Sequence, residues 1–532
     1  MRWTKIIWIT LISAIGCTQD NEKTKFRFVP ASESGITFRN VLTESVEFNI
    51  FNYMYFYNGG GVAVGDLNGD NLPDIYFSAN QEPNKLYLNQ GNLKFKDITE
   101  VAGVEGFKGW ATGVTMADVN NDGKLDIYVG YLGDYLIFKG KNQLFINEGN
   151  DEQGVPKFTD RAMEFGLDLI GFATQAAFFD YDRDGDLDMF MLNHSLHENG
   201  TFGTSSKLRF ESHPLAGDKL LRNDNGHFID VTKTAGILDN AIGYGLGVVV
   251  SDVNLDGWPD IYVGNDFHEN DYLYINQKNG TFKESLEAQM NHTSRYTMGI
   301  DFADFNNDGF PDLVTTDMLP EDPFILKASA AEDPYDIFDF KLNYGYNYQY
   351  TRNSLQLNNQ DGTFSEIAMF AGVPSTDWSW SPLFADFDLD GQKDIFITNG
   401  ILRRSNDLDY VNYVSTDSIQ MSLKFDLNEK HLKLIERMPK IKLQNYLYRN
   451  NGDSTFTNKA TEWGLEKISY SHGAAYGDLD NDGDLDLVTN NVEDEAFLIE
   501  NLSTTNQRTD SSHYLSIKLK GNTGNQFAIG AK

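Results

Sequence analysis

The sequence of 532 residues is poor in cysteine and in basic side chains. Its single cysteine, Cys17, excludes a disulfide framework and a cysteine-based zinc site. Lysine and arginine number 43 against 78 aspartates and glutamates, so the net charge is -35 and nucleic acid and anionic membrane surfaces are poor partners for the body of the chain. With 40% hydrophobic residues the chain can nevertheless bury a sizeable core, which excludes disorder as its main state.

Residues 1–17 have the layout of a secretory signal. Basic Arg2 and Lys5 precede an apolar stretch that is too short to span a bilayer of roughly 30 Å. Cys17, which follows a small residue, resembles the lipidated cysteine of bacterial lipoproteins, although the Ala-Ile-Gly before it departs from the commonest pattern. An ordinary signal peptide with an incidental cysteine is the alternative. We therefore expect a tether over residues 18–25 and a lipid anchor in a bacterial outer membrane, with the protein facing the periplasm or the cell surface.

An acidic loop of nine residues occurs seven times along the chain. Oxygen-bearing side chains occupy loop positions 1, 3, 5 and 9, and a backbone carbonyl at position 7 would complete a set of hard ligands suited to Ca²⁺ rather than to zinc or copper. The predicted ligands are Asp66, Asn68, Asp70, Leu72 and Asp74; Asp118, Asn120, Asp122, Lys124 and Asp126; Asp180, Asp182, Asp184, Asp186 and Asp188; Asp252, Asn254, Asp256, Trp258 and Asp260; Asp304, Asn306, Asp308, Phe310 and Asp312; Asp386, Asp388, Asp390, Gln392 and Asp394; and Asp478, Asp480, Asp482, Asp484 and Asp486. Position 6 is glycine in six copies and Asn71 in the first, because a chain that wraps an ion needs an unusual backbone angle there.

The loops differ from the EF-hand, which ends in a bidentate glutamate at position 12 and continues into a helix. None of the seven copies has that glutamate, and positions 10–12 are instead mostly β-branched and aromatic, as in residues 127–129. Each loop therefore joins two strands. A Phe-x-Asp segment precedes many loops and an Asn-x-Leu-x-x-Asn segment follows many of them, which makes about four strands in each repeat. We predict an all-β, seven-bladed propeller with a calcium loop in each blade, closed by an N-terminal strand near residues 26–28.

These loops resemble the FG-GAP or VCBS repeat, the calcium-loop blade of integrin α-subunit propellers and of many bacterial surface proteins. The resemblance covers residues 26–502. Residues 503–532 comprise a linker and a segment from His513 that resembles the opening of the ASPIC/UnbV domain, which follows such repeats in relatives of cartilage acidic protein. That domain would be cut short here. The alternative is a short terminal strand that docks on the propeller.

Positions 1, 3, 5 and 9 of the seven loops carry 24 aspartates, counted as 3+3+4+3+3+4+4. Without cations these carboxylates would repel one another, so up to seven Ca²⁺ ions are expected. The ions would cross-link neighbouring strands in a protein without disulfides. A structural role explains seven similar sites, and a signalling or catalytic role for one ion is the alternative.

The three longest insertions, residues 192–217, 317–352 and 399–444, all follow the strand after an acidic loop and should share the face opposite the calcium. The second contains Tyr344, Tyr346, Tyr348 and Tyr350, whose rings would suit a sugar or a protein partner if they do not simply pack the loop. We therefore expect a non-catalytic binding module for glycan or protein ligands. The alternatives are a carbohydrate-active enzyme that uses residues such as His194, His197 and Glu198, and a structural subunit of an outer-membrane complex.

Overall fold

The computed structural model describes residues 24–196, 204–330, 332–423, 427–506, 514–515, 517–521 and 524–531. The predicted signal peptide, Cys17 and most of the predicted tether lie outside the described residues, as do His197 and Glu198. Among the helices that are described, none is long and apolar enough to cross a membrane.

Most strands form four-stranded antiparallel sheets, one for each acidic loop, and the remaining four strands form two short pairs. The strands are β1 (Phe26–Val29), β2 (Val62–Gly65), β3 (Asp74–Phe77), β4 (Lys85–Asn89), β5 (Phe95–Asp97), β6 (Ala111–Ala117), β7 (Asp126–Tyr131), β8 (Gln143–Asn150), β9 (Pro156–Asp160), β10 (Ala173–Phe179), β11 (Asp188–Asn193), β12 (Lys219–Asn223), β13 (Phe228–Asp230), β14 (Gly245–Ser251), β15 (Asp260–Asn265), β16 (Tyr272–Asn276), β17 (Phe282–Glu284), β18 (Thr293–Ser294), β19 (Gly299–Ala303), β20 (Asp312–Thr316), β21 (Gln349–Tyr350), β22 (Ser354–Asn358), β23 (Phe364–Glu366), β24 (Ser379–Ala385), β25 (Asp394–Asn399), β26 (Leu443–Gln444), β27 (Tyr446–Asn450), β28 (Phe456–Asn458), β29 (Ile468–Ser469), β30 (Ser471–Gly477), β31 (Asp486–Asn491) and β32 (Phe497–Asn501).

The helices are short and lie in the connections. They are α1 (Ala31–Ser34), α2 (Thr99–Ala102), α3 (Ala162–Phe165), α4 (Ser205–Leu208), α5 (Thr232–Ala235), α6 (Leu286–Gln289), α7 (Pro323–Ala328), α8 (Tyr335–Asn343), α9 (Ala368–Ala371), α10 (Leu408–Val414), α11 (Asp417–Leu423), α12 (Glu429–Ile435), α13 (Ala460–Trp463) and α14 (Ser503–Asn506), together with a 3₁₀ turn at Met54–Tyr57.

Over the described residues the protein is a seven-bladed β-propeller. Its seven four-stranded sheets, in order around the ring, are β2-β3-β4-β5, β6-β7-β8-β9, β10-β11-β12-β13, β14-β15-β16-β17, β19-β20-β22-β23, β24-β25-β27-β28 and β30-β31-β32-β1, which we number blades 1 to 7. The first strands of successive blades lie side by side around the whole ring, and β30 lies beside β2. The N-terminal strand β1 pairs with β32, Phe26 opposite Asn501, and so is the outer strand of blade 7.

The hydrophobic core lies between the blades. The second strand of a blade, such as β7, is buried along its whole length because neighbouring sheets cover both of its faces. One cluster packs Tyr76 and Leu86 of blade 1 against Val114 and Ile127 of blade 2, and similar clusters fill the other gaps. This packing explains the β-branched and aromatic residues after each acidic loop.

Strand direction sorts the connections onto two faces. The acidic loops join the first and second strands at one end of the blades, which we call the loop face. The three long insertions join the second and third strands at the opposite end, the insertion face, and carry α4, α7, α8, α10, α11 and α12. The segment between β1 and β2 also crosses the insertion face, where Phe48, Tyr53 and Phe56 pack with Trp110 and with residues of most other blades.

Candidate metal sites and ligand face

Backbone amides hold the side chains of each acidic loop in place. In the second loop, Asp118 accepts hydrogen bonds from the amides of Asp122 (3.0 Å) and Gly123 (2.9 Å), and Asp122 accepts one from Lys124 (3.0 Å). Asp126 accepts one from Val119 (3.0 Å). The same pattern recurs in the other loops, for example at Asp252 and at Asp386. The turn is therefore shaped by hydrogen bonds to the side chains at positions 1, 5 and 9.

Two residues of every loop adopt left-handed backbone angles. Position 6 does so as predicted, with φ values of 85° at Gly123 and 67° at Asn71. Position 4 also adopts a left-handed backbone angle in all seven loops, which was not predicted from the sequence. The position-4 residues are Gly69, Asn121, Arg183, Leu255, Asn307, Leu389 and Asn481. Glycine and asparagine at four of them were a usable signal, whereas Arg183, Leu255 and Leu389 gave none.

Three loops bring carboxylate oxygens of three aspartates within 4.8 Å of one another among the described residues, close enough to share one metal ion. These groups are Asp180, Asp182 and Asp188; Asp386, Asp388 and Asp394; and Asp478, Asp480 and Asp482. They belong to the loops with aspartate at position 3, where the other four loops have asparagine. The acidic clusters that the sequence predicted are thus present, and they are densest in blades 3, 6 and 7.

Several oxygens in these three loops are buried and have no hydrogen-bond partner among the described residues. They are Oδ1 of Asp180, Asp182, Asp186, Asp388, Asp480 and Asp484. A buried carboxylate oxygen without a donor is costly unless a cation lies against it. Such oxygens fit the hard-ligand preference of Ca²⁺.

Position 7 was predicted to offer only its backbone carbonyl, but in the third and seventh loops it also carries a carboxylate, that of Asp186 and of Asp484. Burial and the neighbouring Asp184 raise the pKa of Asp186 to about 7. Burial likewise raises the pKa of Asp484 to about 7, and Asp484 accepts a hydrogen bond from the amide of Thr504 (2.8 Å). The third and seventh loops therefore carry five carboxylates each. The backbone of position 7 is fixed by a hydrogen bond from its N–H to the aspartate at position 5. This bond is present at Leu72, Trp258, Phe310 and Gln392.

The aspartates at position 9 are almost completely buried. Burial raises the pKa of Asp74, Asp126, Asp260 and Asp312 to about 7, that of Asp394 to about 8, and those of Asp188 and Asp486 to about 9. Two backbone amides donate to each of these carboxyl groups, which lowers the pKa but does not offset burial. These residues would need a cation beside them to stay ionised near neutral pH.

The last asparagine of the Asn-x-Leu-x-x-Asn segment connects neighbouring loops. Asn147 donates its backbone N–H to Asp126 (2.8 Å) and its side-chain Nδ2 to the carbonyl of Leu67 (2.8 Å), at position 2 of the preceding loop. Asn89, Asn276, Asn358, Asn450 and Asn501 make the same two kinds of bond in their blades. The bond from Asn89 to Leu479 joins blade 1 to blade 7. Six of the loops are thereby tied to the loop before them.

The tyrosines of the second insertion lie in different environments. Tyr346 is buried against His268, with the guanidinium of Arg209 over its ring. Tyr350 stacks on Phe338, and Tyr344 contacts Phe340. Tyr348 is the most exposed of the four. Their role in ligand binding stays a prediction.

His194 is a packed core residue. Its Nε2 lies 2.9 Å from the Tyr53 hydroxyl and its Nδ1 lies 2.8 Å from the carbonyl oxygen of Ser195. Burial lowers its pKa to about 4, so the ring is neutral at physiological pH. Both ring nitrogens therefore lie against other protein groups, next to the segment that contains Tyr53.

The described parts of residues 503–532 lie against the loop face. Gln526 donates to the carbonyl of Asn121 (3.0 Å), and Lys518 donates to Asn71 (2.9 Å). Ile529 packs on the cluster between blades 2 and 3.

Comparison with known proteins agrees with the repeat. The FG-GAP-like repeat family matches residues 66–129, 252–315, 342–397 and 442–489. Four segments of the chain are therefore FG-GAP-like repeats. Cartilage acidic protein 1 of Mus musculus is 29% identical over 204 residues, which are 38% of this chain and 28% of that protein. Cartilage acidic protein 1 of Xenopus tropicalis is 33% identical over 139 residues, 26% of this chain and 20% of that protein. The resemblance to this family is confirmed, and the FG-GAP chain spans less than a third of the length of these relatives.

Among solved structures, an Agrocybe aegerita lectin studied for its recognition of non-reducing terminal N-acetylglucosamine is similar to this FG-GAP chain. The match has 14% identity and a TM-score of 0.40, and it covers 81% of this chain and 88% of the lectin.

Proposed function

We propose that this FG-GAP propeller is a calcium-stabilised, non-catalytic binding module that holds a glycan or protein ligand on its insertion face. One observation carries the proposal. The three long insertions, which share no motif, come together on one end of a rigid ring, while the repeated loops occupy the other end. Variable segments on a fixed scaffold are the usual location of binding sites.

Calcium would be held at positions 1, 3, 5 and 9 of the loops, with the carbonyl of position 7. When bound, Ca²⁺ supplies positive charge that offsets the crowded carboxylates and links the two strands of each loop. The chain itself supplies the rest, because the backbone amides and the inter-blade asparagines fix the loop shape. The buried, unpartnered oxygens of loops 3, 6 and 7 support this assignment among the described residues.

The insertion face also exposes large apolar side chains, as a binding surface does. Phe324 on α7, Tyr335 on α8 and the nearby Tyr348 are largely exposed. Acidic residues such as Asp336 and Asp339 lie between them in the sequence, which disfavours an anionic partner. The burial of His194 supports a non-catalytic role, since it removes the most suggestive acid–base group from solvent.

A glycan array probed with the full chain in millimolar Ca²⁺ tests the proposed ligand face. The triple variant Phe324→Ala, Tyr335→Ala, Tyr348→Ala should lose at least tenfold in affinity for the glycans that the native protein binds. The control is Phe370→Ala together with Met163→Ala, because these residues are similarly exposed but lie on short helices after outer strands. Binding that survives the triple change, or that the control abolishes equally, would contradict the proposed face.

We also propose that lipidation of Cys17 anchors the protein in a bacterial outer membrane. The support is the sequence before that residue. Expression of the full chain in a diderm bacterium should place it in the membrane fraction, and Cys17→Ser should release it. Membrane association that does not change in the serine variant would show that the anchor is elsewhere.

A further inference from the structure

A cavity of about 250 Å³ lies on the insertion face between blades 4, 5 and 6 and the N-terminal segment. Met54 and Ala330 line it and are both exposed, so solvent reaches the cavity. An engineered cavity of about 150 Å³ accepts one benzene, whereas sites for drug-sized ligands have about 300–1,000 Å³. A compact ligand is therefore the size that fits. We call this space the blade 4–6 cavity.

Aromatic side chains form much of the cavity wall. Tyr55 comes from the N-terminal segment, Phe267 from blade 4, and Trp378 and Trp380 from blade 6. The Trp380 indole is fixed, because its N–H donates to the carbonyl of Gly400 (2.7 Å). Aromatic rings attract a cation that lies over them, because the face of the π-system is negative. Such a wall favours a cationic ligand over a neutral one.

The wall also carries negative charge. Among the described residues that line the cavity, Asp266 has the only carboxyl group, and none is lysine, arginine or histidine. Its two oxygens accept hydrogen bonds from the hydroxyl of Tyr55 (3.2 Å) and from the backbone N–H of Phe267 (2.9 Å). A carboxyl group without a basic residue beside it in the wall favours a cation and disfavours an anion.

Basic side chains in this region are ion-paired and do not line the cavity. The pairs are Arg295 and Lys341 with Asp333, and Arg404 with Asp377. The guanidinium of Arg295 lies over the ring of Tyr296, 4.6 Å from its centroid. Tyr296 also lines the cavity, but Arg295 already uses its ring. We therefore assign the ligand contacts to the other four aromatic residues.

The wall suits an ammonium group that has no N–H bonds. A primary ammonium group has three donors to satisfy, whereas both oxygens of Asp266 already accept hydrogen bonds. Much of the remaining wall is apolar and includes Met54, Met298 and Met318. A quaternary ammonium group needs only the negative charge and apolar contacts, and aromatic cages bind such groups.

Two of the aromatic wall residues lie in strained turns. Phe267 has a left-handed backbone angle, with φ of 65°, which is uncommon for a bulky side chain, and its N–H donates to Asp266. Asp377 has φ of 61°, and its side chain accepts the N–H of Trp378 (2.7 Å). Strain of this kind is concentrated at ligand sites. In both turns an aspartate thus fixes the aromatic residue that follows it.

We propose that the blade 4–6 cavity binds the quaternary ammonium group of a small molecule such as choline. The group would lie against the aromatic rings and beside the carboxylate of Asp266. Burial raises the pKa of Asp266 to about 7, and a cation beside this carboxyl group would favour its ionised form. This inference goes beyond the proposed function, because it names a second class of ligand and does not require a glycan.

Titration calorimetry of the full chain with choline tests the proposal. The matched probe is the uncharged dimethylbutanol in which carbon replaces the nitrogen of choline. Choline should bind saturably at one site, and about tenfold or more tightly than this isostere. Ethanolamine, which has a primary ammonium group, and gluconate, an anion, should bind more weakly than choline.

Three results would overturn the assignment. They are no binding of choline, equal binding of choline and its isostere, and tighter binding of ethanolamine or gluconate than of choline. Vesicles of phosphatidylcholine separate a lipid headgroup from a free small molecule. Binding to vesicles that free choline does not compete away would also contradict the proposal.

Two substitutions of similar size locate the site. Asp266→Asn removes the charge and Phe267→Leu removes an aromatic ring, so each should weaken choline binding about tenfold and leave binding of the isostere unchanged. Equal losses for choline and isostere in both variants would overturn the assignment. The matched controls are Asp336→Asn on α8 and Phe370→Leu on α9, which should bind choline like the native protein.

The outcome is distinguishable from that of the glycan experiment. Phe324, Tyr335 and Tyr348 do not line the cavity, so the triple variant of these residues should bind choline like the native protein. If choline does not bind while the triple variant loses array binding, the cation site is wrong and the proposed ligand face stands. If choline binds and the array result fails, the cation site stands alone.

Discussion

On the loop face all seven blades present the same nine-residue turn, whereas on the insertion face blades 3, 5 and 6 present segments with no common motif. The loops are held by backbone amides and by asparagines from neighbouring blades. The insertions instead pack through short helices, ion pairs such as Arg209–Glu269, and aromatic contacts. Repetition on one face and variation on the other support our proposal that stability and recognition are separated between the two ends of the ring.

The difference extends to buried polar groups. On the loop face the unpartnered oxygens of the described residues are almost all aspartate oxygens in loops 3, 6 and 7, which suits a cation. On the insertion face the unpartnered polar atoms are more varied and include the indole N–H of Trp378 and the amide oxygen of Asn406. The following experiments test the two faces in turn.

The largest effect is expected from Asp188→Ala in the third loop. Asp188 accepts hydrogen bonds from the amides of Tyr181 (3.0 Å) and Asn223 (2.9 Å), and both amides are buried. Their loss should lower the free energy of unfolding by about 3 kcal/mol or more, with or without Ca²⁺. Urea unfolding measures this change. A loss below about 1 kcal/mol would show that the position-9 aspartate does not organise the loop.

A smaller, calcium-dependent effect is expected from Asp182→Asn. Oδ1 of Asp182 has no partner among the described residues, and asparagine keeps an oxygen at position 3 as in four other loops, so the change removes one negative charge from the proposed metal site. With Ca²⁺ the variant should lose about 1.4 kcal/mol for each tenfold loss of affinity, and with chelator it should match or exceed the native stability.

The reciprocal change is Asn120→Asp in the second loop, which creates the four-aspartate pattern of blades 3, 6 and 7. It should increase the stabilisation by Ca²⁺ and lower the stability of the calcium-free protein. Identical shifts in calcium and in chelator for both variants would show that position 3 is not a ligand.

The calcium-free protein should lose stability as the pH rises. Burial raises the pKa of the position-9 carboxyls to about 7 to 9, whereas in the unfolded chain it is about 3.9. The folded state therefore binds more protons across this window, and the free energy of unfolding falls from about pH 4 to about pH 9. With Ca²⁺ the loop carboxylates are held ionised and the decline should become shallower. It should not vanish, because burial also raises the pKa of carboxyl groups outside the loops, such as Asp218 and Asp317, to about 8. Melting curves in chelator across the window measure it, and a melting temperature that rises with pH in chelator would contradict it.

The smallest effect on stability is expected from the insertion-face triple variant. Phe324, Tyr335 and Tyr348 are largely exposed, so their truncation should change the free energy of unfolding by less than about 0.5 kcal/mol per residue. The response to Ca²⁺ should be native. A calcium-dependent loss of stability in this variant would contradict the proposed separation of stability and recognition between the two faces.

Much of the fold could be predicted from the sequence because each repeat contains several recognisable motifs. The acidic loops, the strands after them and the Phe-x-Asp outer strands all share one register, and β1 lies in the last blade. The segment around Phe48, Tyr53 and Phe56 was not predicted to cover the insertion face. It occurs once, has no periodicity, and its aromatic residues are buried by tertiary contacts from most other blades.

Less of the candidate metal sites and ligand face could be predicted from the sequence. The oxygen pattern identified the loops, but the carboxylates of Asp186 and Asp484 depend on burial beside other aspartates, which spacing alone does not reveal. The bond from Asn147 to Leu67 joins residues 80 positions apart and depends on blade packing. A cavity on the insertion face is lined by residues of blades 4, 5 and 6 and of the N-terminal segment, so no local pattern indicates it.

Thermal unfolding of the chain from residue 18 onward, in millimolar Ca²⁺ and in chelator, tests the central claim most directly. Ions that bind only the folded state raise its stability. We predict a melting temperature at least several degrees higher with Ca²⁺, with no such shift for Mg²⁺ at the same concentration. Equal melting temperatures in Ca²⁺ and chelator would contradict the claim that the loop face stabilises the propeller through calcium.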